Sequence, residues 1–192
     1  MTRLLPATVA LCATLFSVTV SAREQGHMGR PVGVPLNPLL ELKNQHGEKL
    51  ARADIRGRPF LVIFGYTSCP EVCPTSLFEA SQLLDELGSA GERLGVLFVT
   101  VDPERDTVEQ LRSYLDSFHP RIVGLTGSAE QIAAVAAAFG APVEKNGLSG
   151  SNYSMSHSSQ IFFMDRYGML ARPVSYKDPD ALAALSRRLL AQ

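Results

Sequence analysis

Two stretches of the chain are apolar with almost no interruption: residues 59–66, PFLVIFGY, and residues 94–102, LGVLFVTVD. Runs of this kind predict central strands covered on both faces. Between them, Leu77, Phe78, Leu84 and Leu87 recur at helical spacing, with Gly88 as the stop signal. The pattern then alternates. TVEQLRSYLDSF (107–118) predicts a helix capped by Thr107. IVGLTG (122–127) predicts a short strand. SAEQIAAVAAAFG (128–140) predicts an Ala-rich helix with Ser128 as cap and Gly140 as stop. QIFFMDRYGMLARPV (160–174) predicts two strands around a turn at Asp165 to Gly168. The chain closes on a helix capped by Asp178, with Pro179 at its first position.

Strands alternating with helices imply parallel pairs joined by right-handed crossovers. With the closing hairpin and helix, this predicts an α/β, thioredoxin-like layer fold. LLELKNQHGEKL (39–50) alternates apolar and polar residues around a glycine turn, so an N-terminal hairpin extension is expected from Leu39 to Leu50. Residues 23–37 carry Gly26, Gly29, Pro31, Gly33 and Pro35 and predict an irregular tether. Before them, Arg3 precedes an uncharged run, Leu4 to Ala22, with Val20 and Ala22 at small-residue positions. This is the pattern of a secretory signal peptide. The run also approaches the ~20 residues that span a bilayer, so a retained membrane anchor stays open. Either way the rest is expected to be exported. The predicted organisation is 1–22 signal or anchor, 23–37 tether and 38–192 a single domain.

Composition adds exclusions. The chain of 192 residues is 45% hydrophobic, enough for a packed core. Its formal charge of -1 argues against nucleic acid as a partner, because phosphate neutralisation needs clustered Lys and Arg. Cys12 lies in the N-terminal apolar run behind Leu11, a poor residue before a lipoprotein cysteine, and reads as an apolar filler. That leaves Cys69 and Cys73 in GYTSCPEVCP. A disulfide between them closes a very small loop and removes little unfolded-state entropy. Redox or metal chemistry explains the pair better than a structural staple.

Pro70 and Pro74 follow the two cysteines. A residue before proline is pushed out of helical conformation. The segment from Cys69 to Cys73 is therefore expected to be a loop, with Pro74 opening the helix and Cys73 just before it. A thiol at a helix N-terminus is expected to ionise more easily than a free one. Both cysteines follow a buried strand, where open α/β sheets bind ligands.

Two thiolates do not complete a site for most metals. His27 with Met28 lies in the tether and reads as solvated, although the pair suits transient copper contact. His46 sits in a turn, and His119 ends a helix before Pro120; both read as structural. His157 lies in a polar loop, NYSMSHSSQ, that feeds a strand, and remains a candidate ligand.

GYTSCPEVCP, VDPERDT and YSMSHSS, in this order and spacing, resemble the Sco/SenC family of copper-binding proteins, from about Gly33 to the C-terminus. The resemblance implies a thioredoxin-like fold, a location on or beyond a membrane, here the periplasm, and help in assembling the copper A centre of cytochrome c oxidase. It also implies that Cys69, Cys73 and His157 bind one copper ion. The family usually has an acidic residue before the ligand histidine, where this chain has Ser156. Two soft thiolates and an imidazole suit Cu(I). Structural zinc would want a fourth protein ligand, and Cu(II) would also take a further one, with Asp102 left open. In VDPERDT, Asp102, Glu104 and Asp106 read as partner-steering or copper-tuning groups, or as a plain strand-to-helix loop with Asp106 or Thr107 capping the next helix.

Three functions fit these residues. The first is a copper metallochaperone, not an enzyme, serving the copper-site subunit of cytochrome c oxidase or another copper-receiving protein. The second is a thiol–disulfide reductase using Cys69 and Cys73 as its redox-active pair on the cysteines of such a protein. The third is a peroxiredoxin-like peroxidase. Three residues between the cysteines, and no proline from 143 to 172, weigh against an ordinary thioredoxin-like reductase.

Overall fold

The computed structural model describes residues 32–147 and 153–192. The expected signal or anchor, most of the tether, Cys12, His27 and Met28 lie outside the described residues. Strand β1 (Val32–Gly33) pairs with a late strand, so the tether ends sooner than expected. A 3-10 turn (Asn37–Glu41) follows. The expected hairpin is correspondingly shorter. Leu39 and Leu42, three residues apart and both fully buried, follow the 3-10 period rather than the strand period. Only residues 42–50 fold back, through β2 (Lys43–Asn44), its bridge to Lys49, and hydrogen bonds from Asn44 N–H to the Glu48 carbonyl and Leu50 N–H to the Leu42 carbonyl.

After the single-turn helix α1 (Arg52–Ile55) comes β3 (Phe60–Gly65), every residue of which is buried. Then follow α2 (Val72–Leu87), a 3-10 turn at Gly88–Arg93, β4 (Gly95–Thr100), α3 (Val108–Leu115), β5 (Ile122–Thr126) and α4 (Ala129–Phe139). The chain ends with β6 (Glu144–Asn146), β7 (Ser154–Ser156), β8 (Gln160–Met164), β9 (Met169–Ser175) and α5 (Pro179–Leu190). The caps expected from sequence form: Thr107, Ser128 and Asp178 each accept a backbone N–H, and Gly140 ends α4 in the left-handed region at φ 61°. That conformation favours glycine because it has no Cβ.

The main sheet has the order β1-β9-β8-β3-β4-β5-β2. β3, β4 and β5 are parallel, while β8 runs antiparallel to β3. The architecture is the expected α/β, thioredoxin-like one. A second sheet, β6 with β7, was not expected; its strands are three residues each and too short for a period to show. Phe60, Phe64, Phe98 and Phe163 centre the core, and rings of Phe64, Phe139 and Phe162 meet edge to face at 5.6 Å.

This topology gathers the chemistry at one edge. β3 and β4 are parallel, so their carboxyl ends, Gly65 and Thr100, lie together. β8 is antiparallel, so its start is near the same edge. The loops after β3, after β4 and before β8 therefore converge. Among the described residues, six polar side chains are buried, and four of them (Thr100, Asp102, Asp106 and Thr126) lie at the ends of β4 and β5 or in the turn after β4. Buried polar groups need partners, and here the partners belong to the converging loops. No described helix is long and apolar enough to cross a membrane.

Candidate metal centre

The loop after β3 begins with Tyr66, whose carbonyl accepts the Cys69 N–H at 3.1 Å. The segment through Glu71 is irregular, as the prolines predict, but α2 starts at Val72, one residue before Cys73. Cys73 and Pro74 thus lie inside the first turn. The reason is that the first N–H groups of a helix have no intrahelical acceptor. Pro74 loses no helical hydrogen bond there, and Glu71 receives the Thr75 N–H instead at 3.2 Å.

Cys69 is partly buried; Cys73 is 1% exposed. Neither is in a disulfide. Burial pushes the Cys73 thiol far up from its ordinary pKa, a hydrogen bond with Cys69 adds to this, and one from the Tyr66 backbone opposes it. The helix N-terminus was expected to lower the pKa. Desolvation of a thiolate outweighs that effect once the sulfur leaves water. A bound cation reverses the balance, since a coordinating thiol loses its proton.

His157 completes the cluster. Its Nε2 lies 3.4 Å from Cys73 Sγ and 3.9 Å from Cys69 Sγ. The three ligand atoms lie within 4.8 Å of one another. His157 Nδ1 is 3.0 Å from the Ser158 carbonyl, which can only accept, so Nδ1 carries the proton. In that tautomer the Nε2 lone pair faces the sulfurs. Two soft sulfurs and one imidazole form a donor set that fits Cu(I).

The other histidines do not join. His46 lies in an exposed turn, its N–H held by Asn44 Oδ1 at 2.9 Å. His119 accepts the Arg121 N–H on Nδ1 at 3.2 Å and faces Asp85 with Nε2 at 3.7 Å. Asp102 is no fourth ligand: Arg105 pairs with one carboxylate oxygen, and the Tyr153 hydroxyl donates to the other at 2.7 Å. Glu104 pairs with Lys145 at 2.7 Å on the surface. Ser156, where an acidic residue was expected, accepts from Asn146 Nδ2 at 2.6 Å.

The turn after β4 is more than a helix cap. Thr107 caps α3, while Asp106 turns the other way, toward the cysteine loop, and accepts from Thr67 and Thr100. Thr67, Thr100, Arg105, Tyr66 and Tyr153 all support the cluster, and none stood out as a site residue in the sequence. The available signal was placement: charged residues directly after a fully buried strand must find partners or pay the desolvation cost.

A model of the SCO1/SenC family matches residues 34–191. The chain belongs to that family. Among relatives of the chain, a putative copper-binding protein of Stutzerimonas stutzeri is 35% identical over 134 residues, covering 69% of this chain and 66% of that one. Two further relatives are matched over 63% and 36% of their lengths. The chain thus spans less than two thirds of these curated relatives. Among solved structures, ScoI of Bradyrhizobium japonicum with copper bound is 37% identical, with a TM-score of 0.73 over 82% of this chain and 99% of that one. ScoI of Arabidopsis thaliana with copper bound is 29% identical, with a TM-score of 0.71 over 86% and 99%.

Proposed function

We propose that this SCO1/SenC chain is a copper metallochaperone in which Cys69, Cys73 and His157 hold one copper ion as cargo. The observation that carries the reading is the convergence of two sulfurs and an imidazole Nε2 within 4.8 Å. Copper-bound relatives of the same fold support it. Cu(I) is the state best matched by this donor set, and Cu(II) would recruit a further ligand. Cys69 is the less buried of the two cysteines, and ligand exchange through it would release the cargo. The receiver is the copper-site subunit of cytochrome c oxidase or another copper-receiving protein, as the family resemblance implies. Residues 1–22 act as export signal or membrane anchor, which places the domain in the periplasm.

X-ray absorption on the Cu(I)-loaded protein, with competition against a Cu(I) chelator for wild type and His157→Ala, tests the ligand set. Two sulfurs and one nitrogen are expected, with a sharp affinity loss in the variant. An unchanged affinity in His157→Ala removes His157 from the set.

A second reading, thiol–disulfide reductase, rests on the two free neighbouring thiols, one of them only partly buried. Cys69 would attack a disulfide of the receiving protein, releasing one of its sulfurs as thiol. Cys73 would then attack the mixed disulfide, leaving a Cys69–Cys73 disulfide and a reduced receiver. Mixing the protein with an oxidised copper-site domain, while following copper and free thiols, separates the two. Thiol exchange without copper transfer favours the reductase.

A further inference from the structure

Arg105 stands between the cysteine arm and the histidine arm of the cluster. Its Nε pairs with the buried Asp102 carboxylate. One terminal nitrogen donates to the Tyr153 carbonyl at 3.1 Å. The guanidinium carbon lies 3.8 Å from the ring centre of Tyr153 and 5.6 Å from that of Tyr66. The Tyr66 ring in turn meets the His157 imidazole edge-on, with centroids 5.7 Å apart and planes at 84°. Tyr66 opens the cysteine loop, and Tyr153 leads into β7, which ends one residue before His157.

Partial burial, then the hydrogen bond to Asp102, push the Tyr153 phenol up to about 12. Its hydroxyl therefore stays protonated and keeps donating to Asp102. Asp102 is thus fixed from two sides, and it fixes Arg105. A planar, forked cation can stack on rings and hold a carboxylate and a carbonyl at once, which a lysine ammonium cannot.

We propose that Arg105 is a positioning residue that holds the His157 imidazole opposite the Cys69 and Cys73 sulfurs by gripping Tyr66 and Tyr153 together. A ligand held in place before binding needs no ordering when the metal arrives. The effect on copper rests on the ligand set proposed above; the positioning itself does not.

Two readouts test it. In the metal-free protein, ring-to-ring nuclear Overhauser contacts between Tyr66 and His157 should be present in wild type and lost in Arg105→Lys. With Cu(I), Arg105→Lys should weaken binding by about 10–100-fold, the range for groups that orient metal ligands. In the double variant, Arg105→Lys should add nothing to His157→Ala, because it acts through that ring. Thermal unfolding checks that each variant is folded. Where Arg105→Lys does not fold, Tyr153→Phe, which frees Asp102 while keeping the ring, carries the same readouts. Retained ring contacts, or an equal affinity loss with and without His157, overturn the proposal. Lost ring contacts together with unchanged Cu(I) affinity in His157→Ala leave the positioning role standing and refute the ligand set instead.

Discussion

Asp106 accepts both the backbone N–H of Thr67, at 3.0 Å, and its hydroxyl, at 2.7 Å. One carboxylate thereby ties the turn after β4 to the cysteine loop, two residues ahead of Cys69. The Thr100 hydroxyl, at the end of β4, donates to the same carboxylate at 2.6 Å. The Asp106 carbonyl accepts the Thr126 hydroxyl at 3.0 Å, so the residue also reaches the end of β5.

Removing this carboxylate should loosen the fold at the site. Asp106→Ala leaves the Thr67 N–H and the Thr100 hydroxyl without their acceptor, and each buried unsatisfied group costs about 1–3 kcal/mol. Asp106→Asn should keep most of the stability, because its amide nitrogen can turn to the Thr67 hydroxyl, which can accept. Urea unfolding of the three proteins measures this. Equal midpoints for Ala and wild type would contradict the bracing role.

The same carboxyl sets a pH dependence. Burial raises its pKa from the ordinary value, and the three donated hydrogen bonds only partly oppose that. A raised folded pKa means that the fold favours the protonated form. The resulting stability is fully present below the unfolded pKa of ~3.9 and is lost as pH rises through the folded value. Asp106→Asn does not titrate there. The unfolding free energy of wild type relative to Asp106→Asn should therefore be greatest near the acid end and decline toward neutrality. A difference that grows with pH runs against the argument.

Gly65 leaves room for a ligand sulfur. A Cβ at this position would sit 2.7 Å from Cys73 Sγ and 2.6 Å from the Phe98 ring. Gly65→Ala should cost about 1–3 kcal/mol, as overpacking does, and should weaken Cu(I) binding by displacing Cys73. Chemical denaturation and chelator competition read the two effects. A variant as stable and as tight as wild type would show that the crowding is relieved elsewhere.

The two thiols should differ in reactivity. Cys69 is partly exposed, whereas Cys73 is buried and its pKa is pushed up by that burial. In the reduced, metal-free protein, iodoacetamide should modify Cys69 well before Cys73, because only an accessible thiolate reacts. Peptide mass spectrometry over time reports the order. Faster labelling of Cys73 would mean that the helix N-terminus governs its ionisation after all. Cu(I) should protect both.

Much of this fold could be read locally. The unbroken apolar runs marked β3 and β4, and Thr107, Ser128, Asp178 and Gly140 marked helix ends, because capping depends on residues within one turn. The prolines marked the irregular segment through Glu71 but not the start of α2 at Val72, and the family motifs supplied His157. Tertiary structure decided the rest. Burial raised the Cys73 pKa where its place beside the helix N-terminus had argued for a fall. Leu39 and Leu42 took the 3-10 period because both had to reach the core. Asp106 also bonds Thr67, 39 residues away along the chain, and Arg105 the Tyr153 carbonyl, 48 residues away. Sequence spacing carries the information for contacts within a turn of helix or a strand pair. Which loops share one sheet edge, and so which carboxylate meets which threonine, depends on strand order, which no local pattern encodes.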